Sequence, residues 1–359
     1  MRLDRFWVED FRAYEHGKVE LAPGVTVIIG PNGAGKTSLL EAIGVLARWE
    51  SFRGVANEVM IRTGAAAAVV RGEAVRDDRD LLVEIELPAK GRSRAQVNRQ
   101  RISRRADLGD GLVISVFAPD DLDLVKGGPS VRRGFLDETL ASLHPRHDVV
   151  RSDFERALKQ RNALLKQLGG RLNSEAALTL DVWDQRVALA GDQLGVLREQ
   201  LVTDLGPVVG AAYDELSGVS SEVRLSLVAP WRDIGLAAAL AASRDQDVRR
   251  GLSLVGPHRD DVEIALAGLP SRTHASQGEQ RCLALSLRLA AHRHLTAALG
   301  VAPVLLLDDV FSELDPSRSA ALLAGLPDGQ AVITSAIGVP PGATPDLVID
   351  LIDGGVERG

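Results

Sequence analysis

The sequence has little cysteine, no long apolar run and no excess of positive charge. Cys282 is its one cysteine, which excludes an intrachain disulfide and a metal site built from several cysteines. Residues 1–11 lack the apolar core of a signal peptide, and no apolar run approaches membrane-spanning length. We therefore expect a soluble, unexported protein of the reducing cytoplasm, without a membrane partner.

The net charge and the length of the chain limit its possible partners and its number of domains. The net charge of -7 gives no overall basic field, so nucleic acid would have to bind to local patches of arginine and lysine. No internal repeat and no low-complexity tract is present, which excludes a solenoid. The 359 residues are enough for two domains, or for one large domain with an insertion.

Three zones of the chain differ in pattern. Residues 1–143 and 223–359 are rich in short β-branched runs between Gly, Pro and Asn, whereas residues 144–222 have the composition of long helices. The predicted helices cover residues 152–168 and 176–205, with breaks at Gly169-Gly170 and Gly206-Pro207. The predicted strands that matter most cover residues 25–29, 225–228, 262–266, 301–307, 331–334 and 347–352.

The strongest chemical signal follows the first of these strands. Residues 30–37, GPNGAGKT, fit the pattern G-x-x-x-x-G-K-[ST] between a strand and a helical periodicity. Glycines let such a loop wrap a phosphate chain and point its N–H groups inward. We expect Lys36 to reach the β- and γ-phosphates of ATP and Thr37 to offer its hydroxyl to Mg²⁺. The predicted nucleotide-binding residues are Gly30, Asn32, Gly33, Gly35, Lys36, Thr37 and Ser38.

A P-loop needs a carboxylate across the site to hold Mg²⁺. The apolar run 304–307 ends in Asp308 and Asp309, at the end of a buried-strand pattern. With Lys36, these two carboxylates form the predicted catalytic set: Asp308 orients the metal, and Asp309 polarises the attacking water as general base. Because Asp308 must meet Thr37 in space, the ATPase domain must be discontinuous, with the helical zone inserted between its halves.

Residues 276–280, SQGEQ, precede a long apolar-periodic stretch. Ser276 and Glu279 have the spacing of a capping box, which by itself would make them structural. The order of four segments, 30–37, 276–280, 304–309 and 312–315, nevertheless resembles the Walker A, signature, Walker B and D-loop order of ABC-type ATPases. In that superfamily the signature helix of one subunit caps the γ-phosphate held by the other, so the resemblance implies an ATP-sandwiched homodimer. The implied signature residues are Ser276, Gln277, Gly278 and Glu279, and the implied D-loop residues are Ser312 and Asp315.

Further segments resemble the bacterial RecF recombination-mediator family within this superfamily. Residues 8–14, VEDFRAY, resemble the start shared with the SMC and Rad50 ATPases. Residues 117–137, from FAPDDL to RRGFLD, and residues 254–261, LVGPHRDD, resemble RecF signatures. The resemblance implies an α/β fold: an ABC-type, Rad50/SMC-head-like P-loop ATPase domain, discontinuous in sequence, with an inserted α-helical domain. The predicted domains are residues 1–143, 144–222 and 223–359.

The chain departs from the wider superfamily in three places. Asp309 stands where most ABC ATPases have Glu, and a shorter base is consistent with slow turnover. Thr334 and Ser335 follow the strand after which transporter ATPases have a histidine; we assign them as sensors, although a hydroxyl carries no positive charge. No clear Q-loop glutamine follows residue 116, and Asp120 or Asp121 occupies that region.

Resemblance to RecF implies ATP-dependent binding to duplex DNA and to junctions of single- and double-stranded DNA. It also implies cooperation with RecR and RecO in loading RecA, and a nucleoid-associated location. One stretch without acidic residues could neutralise several phosphates, or it could be a solvated, arginine-rich β-hairpin. Its basic residues are Arg92, Arg94, Arg99, Arg101, Arg104 and Arg105.

Three functions are compatible with the ATP site. The first is an ATP-switched DNA clamp with weak, DNA-stimulated ATPase activity. The second is an ATPase subunit of a transporter, which is disfavoured because such subunits reach the signature sooner after the P-loop and need a membrane partner. The third is a scaffold with a vestigial site, which is disfavoured because the P-loop and Walker B residues are all present. A GTPase lacks support because no N-K-x-D motif occurs.

Overall fold

The computed structural model of the chain describes residues 1–102, 111–352 and 355–358. They form two compact units, each assembled from separate stretches of sequence. The first contains Met1–Asp121, Ala211–Ser220 and Arg281–Gly359, and the second contains Leu122–Gly210 and Ser221–Gln280. The domain division predicted above has other bounds and remains a prediction.

Strands and helices are numbered in chain order. The strands are β1 (Arg2–Phe11), β2 (Tyr14–Glu20), β3 (Val25–Ile29), β4 (Ala67–Arg76), β5 (Arg79–Pro88), β6 (Arg94–Val97), β7 (Gln100–Ile102), β8 (Ile114–Phe117), β9 (Val223–Val228), β10 (Asp261–Leu266), β11 (Leu269–Pro270), β12 (Val304–Asp308), β13 (Ala331–Ser335), β14 (Leu347–Ile352) and β15 (Gly355–Arg358). The helices are α1 (Lys36–Arg48), α2 (Asn57–Met60), α3 (Asp123–Lys126), α4 (Pro129–Leu143), α5 (Pro145–Leu168), α6 (Ser174–Ser217), α7 (Leu236–Arg250), α8 (Ser271–His274), α9 (Gln277–Leu299) and α10 (Pro316–Gly325). Over the residues described, none of these helices has the length and apolar character needed to cross a membrane.

A six-stranded sheet of the first unit positions the nucleotide residues. Its order is β15-β14-β3-β13-β12-β8, with β14 to β8 parallel and β15 antiparallel to β14. β12 and β13 are buried along their whole length, which explains the apolar runs 304–307 and 331–333 that precede their polar ends. Ser335 pairs with Ile29, and Thr334 pairs with Asp308. The carboxyl ends of β3, β13 and β12 therefore meet at one edge of the sheet.

A second six-stranded sheet of the same unit is antiparallel, in the order β2-β1-β4-β5-β6-β7. Its last hairpin turns through Asn98 and Arg99, whose φ angles are 48° and 65°. Two consecutive residues with positive φ match the twist of the flanking strands. Helix α1 contributes Leu39, Leu40 and Leu46 to a hydrophobic core that contains residues of both six-stranded sheets. The apolar spacing along this segment predicts this burial.

The second unit combines long helices with the small antiparallel sheet β11-β10-β9. Phe154 of α5, Val187 of α6 and Leu236 of α7 share one hydrophobic core. Gly191 permits the close approach of α6 to α7, because a Cβ atom at this position would clash with Cδ2 of Leu236. A larger residue here would require the Leu236 side chain to move.

One predicted helix break is wrong and the other is confirmed. α5 ends at Leu168, and Gly169 follows with a left-handed φ of 57°, as predicted. At the second position α6 continues through Pro207 to Ser217. The turns beyond Pro207 bury apolar side chains such as Leu216. This burial offsets the roughly 3 kcal/mol that a proline costs inside a helix.

A fully buried arginine links three segments of the second unit. Arg161 of α5 donates from Nε to Asp184 at 2.6 Å and from Nη1 to Asp247 and the hydroxyl of Ser253 at 2.8 and 2.7 Å. Arg161 and Asp247 are both completely shielded from solvent. A buried ion pair stabilises little compared with apolar packing, but the loss of one partner leaves an uncompensated charge.

We expect Arg161→Met to lower the free energy of unfolding by about 3–5 kcal/mol, because the substitution strands the carboxylate of Asp247 in the interior. The measurement is urea unfolding followed by circular dichroism, comparing transition midpoints.

Arg156→Met is the matched control on the same helix. The side chain of Arg156 is 71% exposed and pairs with Asp153 one turn away, so its loss should change stability by less than about 1 kcal/mol. Equal midpoints for the two variants would contradict the role of the buried network.

Candidate nucleotide site

The loop between β3 and α1 has the geometry of a phosphate-binding turn. Gly33 and Gly35 have φ angles of 86° and 96°, a left-handed conformation that glycine adopts without strain. Lys36, the first residue of α1, donates from Nζ to the carbonyl oxygens of Gly30 at 2.7 Å and Pro31 at 3.0 Å. Its ammonium group is thus held at the loop by neutral acceptors, which an anionic phosphate oxygen can replace with a stronger hydrogen bond.

The remaining predicted P-loop residues differ in their exposure. Asn32 and Gly33 are exposed, and Ser38 in the first turn of α1 is half-buried. The amide of Gly30 donates to the carbonyl oxygen of Ser335 at 3.3 Å, so the start of the loop is fastened to the end of β13. The exposed part of the loop is therefore its middle, residues 31–33.

Thr37, Asp308 and Thr334 form one hydrogen-bonded group at the carboxyl edge of the parallel sheet. The hydroxyls of Thr37 and Thr334 both donate to Oδ1 of Asp308, each at 2.9 Å. The amide of Asp309 in turn donates to Oγ1 of Thr334 at 2.9 Å. The structure thus brings together two predicted metal ligands, Thr37 and Asp308, that are 271 residues apart in sequence.

The electrostatic state of Asp308 follows from its burial, since it is only 6% exposed. Burial raises the pKa of its carboxyl group above the ordinary value, and the nearby charge of Asp309 acts in the same direction. Hydrogen bonds from Thr37 and Thr334 and the charge of Arg53 lower the pKa in part. A buried carboxylate that has lost solvation is one that a nearby cation stabilises strongly.

Asp309 lies in a turn immediately beyond β12 and has a positive φ of 50°, which is uncommon for a residue other than glycine. The hydroxyl of Ser312 donates to its carbonyl oxygen at 2.7 Å and helps to hold this turn. Its Oδ1 atom is buried without a hydrogen-bond partner among the described residues. Such an acceptor is costly unless a water molecule or ligand satisfies it, which fits a group that polarises a water.

The donor set at this edge of the sheet is compatible with Mg²⁺. Thr37 Oγ1 and Asp308 Oδ1 are hard oxygen ligands, and they already lie within 2.9 Å of each other. In residues 1–102, 111–352 and 355–358 there is no group of three or more His, Cys, Asp or Glu side chains that could hold a metal ion. Mg²⁺ usually keeps several water molecules and binds through one or two carboxylates together with substrate phosphates.

Thr334 and Ser335, the predicted sensors, are both buried. The hydroxyl of Thr334 is engaged with Asp308, so in this structure it orients the carboxylate. Ser335 contributes its carbonyl oxygen to the P-loop. Direct contact of either side chain with a γ-phosphate remains a prediction.

The capping box at the start of α9 is present. The amide of Ser276 donates to Oε2 of Glu279 at 2.7 Å, and the amide of Glu279 donates to Oγ of Ser276 at 3.4 Å. Hydrogen bonds from the hydroxyl and from the backbone amide of Ser276 lower the pKa of the Glu279 carboxyl group. Ser276 and Gln277 are exposed and Gly278 is half-buried, so the capped helix end is accessible. Its role as a signature that acts in trans remains a prediction.

Both predicted D-loop residues have local structural contacts. Ser312 lies in the short turn Val310–Glu313 and holds Asp309, as described above. Asp315 caps α10 by accepting a hydrogen bond from the amide of Arg318 at 2.9 Å. These contacts fix the backbone of the D-loop, and its function across a dimer remains a prediction.

The structure separates the two candidates for the Q-loop position. Asp121 is buried; it accepts a hydrogen bond from the amide of Ala118 at 2.8 Å and an ion pair from Arg288 at 2.7 Å. Asp120 is exposed. Because β8 pairs with β12 in parallel, both follow a strand that neighbours the one ending in Asp308. Of the two, Asp120 alone presents an accessible carboxylate.

The predicted arginine-rich β-hairpin exists as β6 and β7. Its four described arginines, at positions 92, 94, 99 and 101, are all exposed. Arg94 lies 3.3 Å from Glu86, whereas no carboxylate of the described residues pairs with the other three. Arg104 and Arg105 lie outside the described residues. Contact of this hairpin with DNA remains a prediction.

Sequence reasoning missed two residues of the site. The hydroxyl of Tyr14 donates to the carbonyl oxygen of Ala34 within the P-loop, and the charge of Arg53 acts on Asp308. The segment 8–14 signalled a family resemblance, but its spacing assigned no chemical role to the tyrosine. Arg53 lies in an irregular loop after α1, and no pattern in the sequence distinguishes it from other exposed arginines.

Comparison with known proteins identifies the family. The family described as RecF/RecN/SMC N terminal domain matches residues 2–335. The DNA replication and repair protein RecF of Streptomyces avermitilis is 41% identical over 375 residues, which cover 100% of this chain and 100% of that relative.

Solved structures agree with this match. The structure described as the recombination mediator protein RecF-ATP in RecFOR pathway has a TM-score of 0.91 and 28% identity, over 99% of this chain and 97% of that one. An Smc head domain from Pyrococcus furiosus, with an extended coiled coil and bound to the C-terminal domain of ScpA, has a TM-score of 0.58 and 17% identity, over 99% and 95% of the two chains. The second likeness concerns the fold alone, and together they confirm the predicted ABC-type α/β ATPase fold. The chain belongs to the RecF family of DNA replication and repair proteins.

Proposed function

We propose that this protein is a weak, DNA-stimulated ATPase that binds duplex DNA and gap junctions in its ATP state and acts in recombinational repair. The observation that carries the proposal is the contact of Thr37 with Asp308 at the P-loop, reinforced by Thr334. This is the arrangement that a P-loop ATPase needs at the phosphate end of its nucleotide. A relative described as RecF-ATP supports ATP as the ligand.

The residues of the first unit divide the work of binding and hydrolysis. The loop amides and Lys36 bind the phosphate chain, and Lys36 exchanges its two carbonyl partners for phosphate oxygens. Thr37 and Asp308 would hold Mg²⁺. The ion would neutralise charge on the phosphate oxygens during hydrolysis. Asp309 then accepts a proton from the attacking water through Oδ1, which has no hydrogen-bond partner among the residues that the structure describes.

ATP binding would also drive a symmetric homodimer. The exposed start of α9 presents the Ser276 hydroxyl and the positive end of a helix, which suit a γ-phosphate held by a second copy. Only a difference in ATP affinity between open and closed states can shift this equilibrium. Slow hydrolysis would therefore end the DNA-bound state.

DNA binding would rest on the exposed hairpin β6–β7, since the chain as a whole is acidic. The family name and the pathway named for the ATP-bound relative support RecR and RecO as partners in loading RecA, and a cytoplasmic, nucleoid-associated location. A transporter subunit is the alternative, and family membership disfavours it.

The first test is fluorescence anisotropy of labelled duplex DNA with and without Mg-ATP, at one near-physiological salt concentration. We expect ATP to tighten binding by about 5- to 150-fold, the usual range for coupling between two sites. Lys36→Met should remove this gain because the variant cannot hold the phosphates, whereas Lys18→Met, at an exposed residue of β2, should retain it. Equal weak binding in both conditions would rule out the switch and leave the ATP site itself intact.

Asp309→Asn should keep ATP binding, slow hydrolysis by about 10²–10⁴-fold and accumulate the closed dimer. Sedimentation velocity with Mg-ATP, alongside phosphate release, measures both effects. If this variant hydrolyses ATP at the wild-type rate, Asp309 takes no part in the hydrolysis step.

Ser276→Arg should permit ATP binding and block dimer formation. Ser276→Asp separates this role from capping, because aspartate also caps a helix but would repel a γ-phosphate. Both variants should sediment as monomers with Mg-ATP; normal dimerisation of Ser276→Asp would leave Ser276 with the capping role alone.

Arg99→Ala and Arg101→Ala should weaken DNA binding at every sequence, and each should reduce the slope of log K against log salt by about 1. Arg94→Ala should have a smaller effect because Glu86 already offsets its charge. Unchanged slopes for the Arg99 and Arg101 variants would show that DNA binds to another surface of the protein.

A further inference from the structure

One peptide of the P-loop has an orientation that its own sequence does not fix. The peptide group joining Ala34 to Gly35 ends at a glycine with a φ of 96°, and Gly33, with a φ of 86°, comes one residue before Ala34. Its carbonyl oxygen and its N–H group point in opposite directions. Glycine populates many backbone conformations, so this plane can turn either its N–H or its carbonyl oxygen toward a bound phosphate. The first attracts the anion and the second repels it.

Tyr14 lies against this peptide. Its hydroxyl donates to the carbonyl oxygen of Ala34 at 3.5 Å, the long end of the hydrogen-bonding range. The ring packs on Gly35 so closely that a Cβ atom there would lie 2.6 Å from the Tyr14 hydroxyl oxygen. Tyr14 is 1% exposed. Gly35 therefore has two reasons to be glycine, its φ and the aromatic ring beneath it.

The turn that carries Tyr14 is anchored independently of the P-loop. The guanidinium of Arg12 forms two hydrogen bonds with the buried carboxylate of Glu41 in α1, at 2.6 and 2.7 Å, and a third with the carbonyl oxygen of Val59 at 2.8 Å. The amide of Arg12 donates to the carbonyl oxygen of Met60 at 2.7 Å. The turn that carries the phenol is thus held by contacts with residues outside the P-loop itself.

We propose that Tyr14 is a positioning residue of the nucleotide site: by holding the Ala34 carbonyl oxygen, it directs the N–H of Gly35 into the phosphate cradle. The inference rests on the proposed ATP binding and deepens it. The hydrogen bond is expected to shorten when the loop closes on phosphate, as contacts at apo sites commonly do.

The protonation state of Tyr14 supports this role. Burial raises the pKa of its hydroxyl to about 12. The phenol therefore stays a donor throughout the pH range in which the protein would work, and its effect on nucleotide binding should not vary between pH 6 and about 9.

Tyr14→Phe tests the proposal, because it keeps the ring that packs on Gly35 and removes only the donor. We expect the Kd for Mg-ATP and for Mg-ADP, measured by calorimetry on the full chain, to rise roughly two- to tenfold, the value of one neutral hydrogen bond. KM should rise by the same factor with little change in kcat, since the contact is made in both ground and transition states. Tyr213→Phe is the matched control.

A second readout uses the fact that the chain has only two tyrosines. Protein labelled with 3-fluorotyrosine should give two ¹⁹F resonances, and the Tyr14→Phe variant assigns them. Mg-ATP and Mg-ADP should shift the Tyr14 resonance and leave that of Tyr213, in α6, unchanged. A tyrosine that serves packing alone would lower the melting temperature on substitution without changing nucleotide affinity.

The outcomes are distinct. If the wild-type protein binds neither nucleotide, the proposed function fails and this inference with it. If the wild-type protein binds Mg-ATP but Tyr14→Phe binds it equally well, or if nucleotide leaves both resonances in place, the positioning role is overturned while the ATP site stands.

Discussion

The parallel pairing of β3 with β13, and of β13 with β12, is the constraint on which the site depends. Each strand contributes one functional segment at or just beyond its carboxyl end: the P-loop, Thr334 with Ser335, and Asp308 with Asp309. None of these segments contains enough contacts to define its own position. The sheet register places their oxygen atoms within hydrogen-bonding distance, so an error of one residue in pairing would separate Thr37 from Asp308 by a strand step of about 3.3 Å.

Around this edge, the protein satisfies most buried polar groups and leaves a few for ligands. Asp308 is held by two hydroxyls, and Asp121 and Glu41 are each held by an arginine. By contrast, Oδ1 of Asp309 has no hydrogen-bond partner within the described part of the chain, and Nζ of Lys36 donates to two neutral carbonyl groups. Pairing fixes the first group of residues in one geometry. The second group has polar atoms that can still form stronger hydrogen bonds with nucleotide and water.

Local patterns predicted the elements well where one physical cause dominates. Strands 25–29 and 347–352 have the observed bounds because short apolar runs between turn residues have few other solutions. The P-loop and the Walker B carboxylates were identified because phosphate and Mg²⁺ demand particular residue types at particular spacings. The helix break predicted at Pro207 is wrong because the packing of distant apolar residues outweighed the unfavourable helix propensity of proline.

Other parts of the site could not be predicted because their causes are tertiary. The different environments of Asp120 and Asp121 depend on the ion pair of Asp121 with Arg288, more than 160 residues away in sequence. Tyr14 acquires its place beneath the P-loop only when the turn between β1 and β2 packs on α1. The capping box and the signature, in turn, are the same residues in the same geometry, and only a second subunit could distinguish them.

The order of the strands in the chain has a consequence for biosynthesis. β3 and the P-loop are made early, but they acquire their neighbours β13 and β14 only from residues 331–352. At a translation rate of roughly 5–20 residues per second, a nascent chain carries an unpartnered P-loop strand for on the order of 15 to 60 s. During that interval the strand's edges are open to wrong partners. The ATPase core can therefore be completed only after β13 and β14 have been made, and a chain cut short before β13 would leave the ribosome without a nucleotide site.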